Sequence, residues 1–274
     1  MKKTWVGYVA LGVAAYLVFL AATLPVAHAY RVLAPKLAPL ALYDVRGTLW
    51  SGAASAAVYR GVRLDSVQWK LKFLPLLRGR LQADLTFATN DGSPGSASVG
   101  RGLGGALYLD KVNARLPAAQ IASLLPPSPM IVGGTLEVKL HELVLGVAGI
   151  EKIRGTVDWK GGTVLSPKPV SLGDFSVTFV DTGQGIEARV RDQGGPLEAN
   201  GTLRLAQDGS YEFKGALATR NTASPELTQA LQFIGRPGAD GKIPISYTGR
   251  LRATGNQAPG LVKTTTMKGG APQR

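Results

Sequence analysis

Few side chains in this sequence could do chemistry. His28 and His141 are the only imidazoles in 274 residues, and there is no cysteine. A zinc site draws on His, Cys and carboxylate ligands. With no His pair at ligand spacing, such a site would have to be assembled from carboxylates. The 18 acids are spread almost singly through the chain, and nothing in their spacing selects the two facing carboxyls that glycoside hydrolysis needs. A serine triad has no candidate base beyond His141, which alternates onto the polar side of a strand and reads as a surface residue. Zero Cys further excludes disulfides, a catalytic thiol and an acylated cysteine. The run Gly100-Arg101-Gly102-Leu103-Gly104-Gly105 has the glycine density of a phosphate cradle. It lacks the lysine, the hydroxyl and the following helix of a nucleotide loop, so it reads as a solvated turn inside an exposed, glycine-rich loop from Asp91 to Gly105. The expectation is a protein that is not an enzyme, with no metal and no cofactor.

The elements that would position any functional residue are strands. Val67, Trp69, Leu71 and Phe73 alternate with Gln68, Lys70 and Lys72, placing one face in a core and the other in water. Leu81, Ala83, Leu85 and Phe87 repeat the pattern, as do Leu136, Val138 and Leu140, and Ile186, Ala188 and Val190. These are half-buried antiparallel strands. Asp208-Gly209 separates Leu203-Arg204-Leu205 from Tyr211-Glu212-Phe213 and predicts a hairpin turn, since its glycine tolerates positive φ. Asp91-Gly92 and Asp240-Gly241 punctuate in the same way. Two stretches read as helical, Pro117 to Leu125 and Ser224 to Ile234, the second opened by Ser224-Pro225-Glu226 as cap, first-turn proline and early acid. With 35 Gly, 17 Pro and 7% aromatics, the composition favours many turns between short strands.

Upstream of the strands lies a stretch, Thr4 to Ala29, without one Lys, Arg, Asp or Glu. As a helix its 26 residues would reach about 39 Å, enough to cross a hydrocarbon core of about 30 Å. Trp5, Tyr8, Tyr16 and Tyr30 suit helix ends at a membrane interface. The reading is a retained single-pass anchor, with the short Lys2-Lys3 tail in the cytoplasm and the C-terminal part outside it. The alternative is a cleaved signal peptide, since Ala27-His28-Ala29 has the small-x-small form of a processing site. The net charge of +13 would attract anionic lipid headgroups or an acidic partner, although singly scattered surface cations account for it equally. No basic cluster is denser than Arg78-Gly79-Arg80 and aromatics are not interleaved with it, so nucleic acid is not an expected partner.

Order and spacing repeat over roughly a hundred residues. Val45-Arg46-Gly47-Thr48-Leu49-Trp50 opens a series of strands that reaches the helix at Pro117 and the strand at Gly134. Ile153-Arg154-Gly155-Thr156-Val157-Asp158-Trp159 opens a second series, reaching the helix at Ser224 and a strand from Ile243 to Leu251. The expected architecture is therefore mainly β: a transmembrane helix followed by a duplicated, curved antiparallel sheet unit with one short helix per repeat. The divisions are 1–30 for the cytoplasmic tip and anchor, 31–150 and 151–252 for the repeats, and 253–274 for a disordered polar tail.

Glycine and tryptophan positions carry a family resemblance. Gly47-Thr48-Leu49-Trp50-Ser51-Gly52, Val67-Gln68-Trp69 and Leu76-Leu77-Arg78-Gly79-Arg80-Leu81 resemble protein N of the bacterial type II secretion pathway. The likeness continues through Gly155 to Trp159, Leu172-Gly173-Asp174-Phe175, Gly194-Gly195-Pro196-Leu197, Gly201, Asp208-Gly209-Ser210-Tyr211, Pro225-Glu226-Leu227 and Gly235. The resemblance implies a single-pass inner-membrane protein with a periplasmic domain, working beside other type II secretion subunits and inner-membrane lipids in the export of folded proteins across the outer membrane. It supplies no catalytic residues. The glycines read as turn and close-approach positions, and Trp50, Trp69 and Trp159 as sheet-core anchors. The leading expectation is a docking scaffold offering sheet edges or a basic face, with the number of copies open. Two alternatives stand beside it: an envelope lipid-handling sheet whose concave apolar face slides acyl chains, and a processed, soluble periplasmic binding protein.

Overall fold

Period-two alternation carries nearly the whole folded chain into one sheet. The structure, a computed structural model, describes residues 11–13, 15, 16, 19, 23–76, 79–89, 91–122, 131–146, 149–165 and 168–250. The strands are β1 (Leu40–Tyr43), β2 (Arg46–Gly47), β3 (Ser51–Tyr59), β4 (Val62–Lys72), β5 (Arg80–Ala88), β6 (Pro94–Gly102), β7 (Leu107–Pro117), β8 (Val132–Gly146), β9 (Gly149–Val164), β10 (Val170–Asp181), β11 (Gly185–Asp192), β12 (Leu197–Ala206), β13 (Ser210–Thr219) and β14 (Ile243–Arg250). They form a single 14-stranded sheet. From β3 onward each strand pairs antiparallel with its successor, while β1 and β2 both pair with β3. Such a meander needs only local connections. Helices α1 (Val26–Leu37), α2 (Phe73–Leu76), α3 (Ala118–Ala122) and α4 (Pro225–Ile234) interrupt it.

Register sorts the side chains into two faces. Trp69 stands opposite Leu85, and Leu85 opposite Ala97. Ala114, Val138, Val157, Val177 and Val190 follow one another across β7 to β11. The other face carries exposed ion pairs between neighbouring strands, such as Lys72 with Asp84 at 2.8 Å and Lys160 with Asp174 at 3.0 Å. Pairs this exposed contribute at most about 1 kcal/mol each, so stability comes from the apolar face. Two buried clusters mark that face. One joins Leu140, Ile153 and Ile186 with Phe179 and Leu205; the other joins Phe175, Leu197 and Ala199 with Leu227 and Leu231 of α4. Cα atoms of β9 and β11 approach within 8 Å, closer than the roughly 9.5 Å between next-nearest strands of a flat sheet. The sheet therefore bends around β10 with its apolar face inward, and α4 lies against both β10 and β13.

The hairpin at Asp208-Gly209 forms between β12 and β13 as its chemistry requires. At α4, the Ser224 hydroxyl accepts from the Leu227 N–H at 3.3 Å, with Pro225 and Glu226 in the first turn. The segment Asp91 to Gly105 is not a loop: Pro94–Gly102 is β6, paired with both β5 and β7. Alternation there is of size rather than polarity. A Cβ at Gly95 would lie 2.2 Å from the Phe87 ring, so the missing side chain makes room for the neighbouring aromatic, and a hydropathy pattern does not register that. Of the expected loop there remain the turn from Thr89 to Ser93 and the turn from Gly102 to Ala106.

Among the described residues no helix is long and apolar enough to cross a membrane. Most of Thr4 to Thr23, and all of 253–274, lie outside the described residues. The uncharged segment joins the fold before its expected end at Ala29. The Leu49 N–H donates to the Leu24 carbonyl at 3.2 Å, Pro25 bridges Thr48, and Val26 is 5% exposed. Helix α1 runs unbroken through 29–31, so the division between residues 30 and 31 falls inside a helix.

Candidate docking surface

The singled-out residues gather at the two ends of the sheet rather than around one cleft. At the end where the chain enters, Gly47 pairs with Gly52 across β2 and β3, and the Thr48 N–H donates to the Ser51 carbonyl at 2.9 Å to close the turn. The Trp69 indole lies over Gly52, where a Cβ would meet it at 2.3 Å, and donates to the Leu49 carbonyl at 3.1 Å. Trp50 packs its ring on Phe73 at 5.0 Å. Gly47, Thr48, Trp50, Gly52 and Trp69 thus form one turn-and-indole unit.

At the opposite end, Trp159 donates to the Gly133 carbonyl at 2.9 Å and packs on Phe175 at 5.7 Å. Gly173 and Gly195 are the positions where glycine is required. Both have positive φ, and a Cβ on Gly195 would fall 2.7 Å from the Gly173 Cα, so the 193–196 turn closes onto the start of β10. Asp174 accepts from the Gly161 N–H at 2.8 Å and from the Lys160 ammonium at 3.0 Å, which hold its carboxyl below the usual range. Pro196 accepts from the Arg220 N–H, Leu197 is buried, and Pro225 and Gly235 bound the helix packed above them. Gly155 lies between the two ends at mid-strand of β9, and Gly201 underlies the Phe213 ring in β12.

Two further charged groups shape this structure. Asp208, in the β12–β13 turn, accepts from the Ser210 hydroxyl and N–H and from Arg250, and its pKa falls to about 2. Asp192 was not singled out by its sequence context. Burial opposes its charge, yet Arg220 at 2.6 Å and the N–H groups of Gly194 and Ala199 outweigh that and hold its carboxyl below the usual range. Arg220 also donates to the Gly195 carbonyl at 3.1 Å, clamping the glycine turn to the end of β13. The only sequence signal was the pairing of a strand-terminal acid with Gly194-Gly195. Among the described residues no three His, Asp or Glu side chains are grouped to hold a metal ion, and His141 stands exposed in β8.

A family model described as type II secretion system (T2SS), protein N, matches residues 38–246, nearly the whole sheet. The chain belongs to the type II secretion system protein N family. The T2SS protein N of Aeromonas hydrophila is 28% identical over 246 residues, covering 88% of this chain and 97% of the relative. That of Vibrio cholerae serotype O1 is 27% identical over 216 residues, covering 77% and 85%, and that of Klebsiella pneumoniae 29% over 212 residues, covering 76% and 82%. No solved structure matches the chain.

In this member of the protein N family, each turn-and-indole unit ties a connection to the sheet through an indole N–H and a carbonyl. What the arrangement offers to other molecules is surface. Among the described residues, β14 pairs only with β13, leaving one eight-residue strand edge as a template for a further strand. The opposite edge is short, since β1 has four residues, and α1 packs beside it.

Proposed function

We propose that this protein is a non-enzymatic inner-membrane component of the type II secretion machinery, held by its uncharged N-terminal segment and offering its sheet in the periplasm as a docking scaffold for other secretion subunits. The observation that carries the reading is the family match over residues 38–246. The open edge of β14 supplies a physical mode: an extended segment of a partner adds main-chain hydrogen bonds along the strand, and alternate side chains read its sequence. Strands β3–β8 and β9–β14 are read as two copies of one six-strand unit, each with a short helix before its last strand. Photo-crosslinkable residues at Ser246 and Thr248 test the docking mode in cells. The scaffold predicts discrete adducts with secretion subunits, lost when the rest of the machinery is absent. Crosslinking to nothing at β14 counts against it.

A second reading, lipid handling along the apolar face, is favoured by one observation: among the described residues no second sheet covers that face. It predicts stoichiometric lipid extracted by solvent from the purified protein, where the scaffold predicts none.

A further inference from the structure

The end of the sheet at which the chain enters carries apolar side chains that stand exposed among the described residues. Phe73 is 59% exposed, Leu74 80%, Leu81 50% and Leu103 92%. Phe73, Leu74 and Leu103 belong to adjacent connections, and Leu81 is the second residue of β5 between them. Leu103 lies over Gly79, where a Cβ would meet its Cδ1 at 2.6 Å, and Phe73 is seated on Trp50. Register fixes which end this is. Ser51 pairs with Lys70, Arg80 with Gly102 and Arg101 with Leu107, so α2 and the β6–β7 turn stand beside the Thr48–Ser51 turn that Leu24 and Pro25 join.

Charge is arranged to match. The last three rungs of β4 to β7 at this end hold Lys72, Arg80 and Arg101 and no acid, while Lys70, further in, stands opposite Asp84. Lys72 is paired with Asp84 and the Arg80 guanidinium lies 4.7 Å over the Tyr108 ring. Further along the same end, Ile150 after the β8–β9 connection is 38% exposed, and the later turns, Thr182-Gly183-Gln184 and Gln207-Asp208-Gly209, are polar. The most exposed of these apolar side chains, Leu74 and Leu103, thus lie on connections toward the entry point. Because residues 24–26 already belong to the fold, the uncharged stretch left ahead of it is Thr4 to Thr23, about 30 Å as a helix and equal to a hydrocarbon core.

We propose that this end of the sheet sits in the membrane surface, with Leu74 and Leu103 entering the boundary between headgroups and acyl chains and Arg80 and Arg101 meeting anionic headgroups. Isolated leucines on a soluble surface need no explanation; four large apolar groups on neighbouring connections and the strand between them, beside Arg80 and Arg101 and an uncharged leader, match the composition of an interfacial contact. The contact would fix the orientation of the sheet, standing it with α4 away from the bilayer. The proposal rests on the reading of the N-terminal segment as an anchor.

The absence of cysteine permits single-site labelling of the full chain. Variants Leu74→Cys, Leu103→Cys, Phe233→Cys and Phe19→Cys, each carrying an environment-sensitive nitrobenzoxadiazole label, are reconstituted in vesicles of phosphatidylethanolamine and phosphatidylglycerol with or without shallow nitroxide lipid. Phe233, 84% exposed at the opposite end, is the control of equal exposure. The expected result is at least twofold quenching at 74 and 103 and none at 233, with quenching at 103 reduced when phosphatidylglycerol is replaced by phosphatidylcholine or when Arg80 and Arg101 become Gln. Labels at 74 and 103 as unquenched as that at 233, with the label at 19 quenched, overturn the tip contact and leave the anchor standing. All four unquenched overturn both. Quenching at 103 that ignores lipid charge overturns the role given to the arginines.

Discussion

Replacing Arg220 by Ala isolates the least exposed carboxylate of the ion pairs among the described residues. The Asp192 side chain is 6% exposed and that of Arg220 38%. Removing one partner of a fully buried pair costs about 3 to 5 kcal/mol, because the other charge stays in the interior uncompensated. Water reaches part of the Arg220 site and offsets some of this, while the Gly195 carbonyl also loses a donor, giving an expected loss of about 2 to 4 kcal/mol. At roughly 2 to 4 °C per kcal/mol for a chain of this size, Tm should fall by about 5 to 15 °C in a circular-dichroism melt. The pH dependence separates this cause from simple loss of packing. In the native protein the Asp192 carboxyl is held below its ordinary value, so its contribution is complete above about pH 4 and is lost as pH falls through the folded value. In the variant the unpaired, buried carboxyl binds its proton more readily folded than unfolded. Its penalty is largest at pH 7 and relaxes toward pH 4. Adding Asp192→Asn should recover most of the loss at pH 7, since the amide oxygen still accepts from Gly194. A Tm change under about 1 °C, or a larger one that neither depends on pH nor responds to Asn, refutes the reasoning.

Three other outcomes follow from particular contacts. Gly52→Val places a branched side chain where Trp69 lies 2.3 Å from the glycine's Cβ position, so it should displace the indole from Leu49 and cost about 2 to 4 kcal/mol in urea unfolding. Asp208→Asn should lower stability at pH 5 and match the native protein near pH 2, because the depressed carboxyl contributes above its unfolded value and loses that contribution as pH falls toward about 2; acid titration followed by circular dichroism reads the convergence. Intact-mass measurement of the membrane-derived protein should find residues 24–29 present, since Leu24, Pro25 and Val26 are fixed to the sheet; a mature chain beginning after Ala29 contradicts the anchor.

Much of the sheet was legible in the chain because its strands obey a local rule. Leu203, Leu205, Tyr211 and Phe213 alternate on either side of Asp208-Gly209, and each step of that argument spans a few residues. Strand β6 escaped it, since Gly95 and Gly102 leave room for Phe87 and Tyr108 of the neighbouring strands and carry no hydropathy signal. The indoles of Trp69 and Trp159 donate to the Leu49 and Gly133 carbonyls and Trp50 packs on Phe73, partners that lie too far along the chain to be read from spacing. The Asp192 and Arg220 pair was invisible for a different reason. The two residues belong to different turns, and only the closure of Gly195 onto Gly173 brings the carboxyl and guanidinium together. The clustering of Phe73, Leu74, Leu81 and Leu103 likewise depends on register, not on spacing along the chain.

An in-frame deletion of the gene with complementation tests the central claim most directly, by measuring exoenzyme activity in the culture supernatant and in the periplasm while a cytoplasmic marker monitors lysis. The account predicts periplasmic accumulation of exoenzyme on deletion and restoration of export by the intact gene. Undiminished export in the deletion strain contradicts a required part in secretion and shifts the weight to lipid handling along the apolar face.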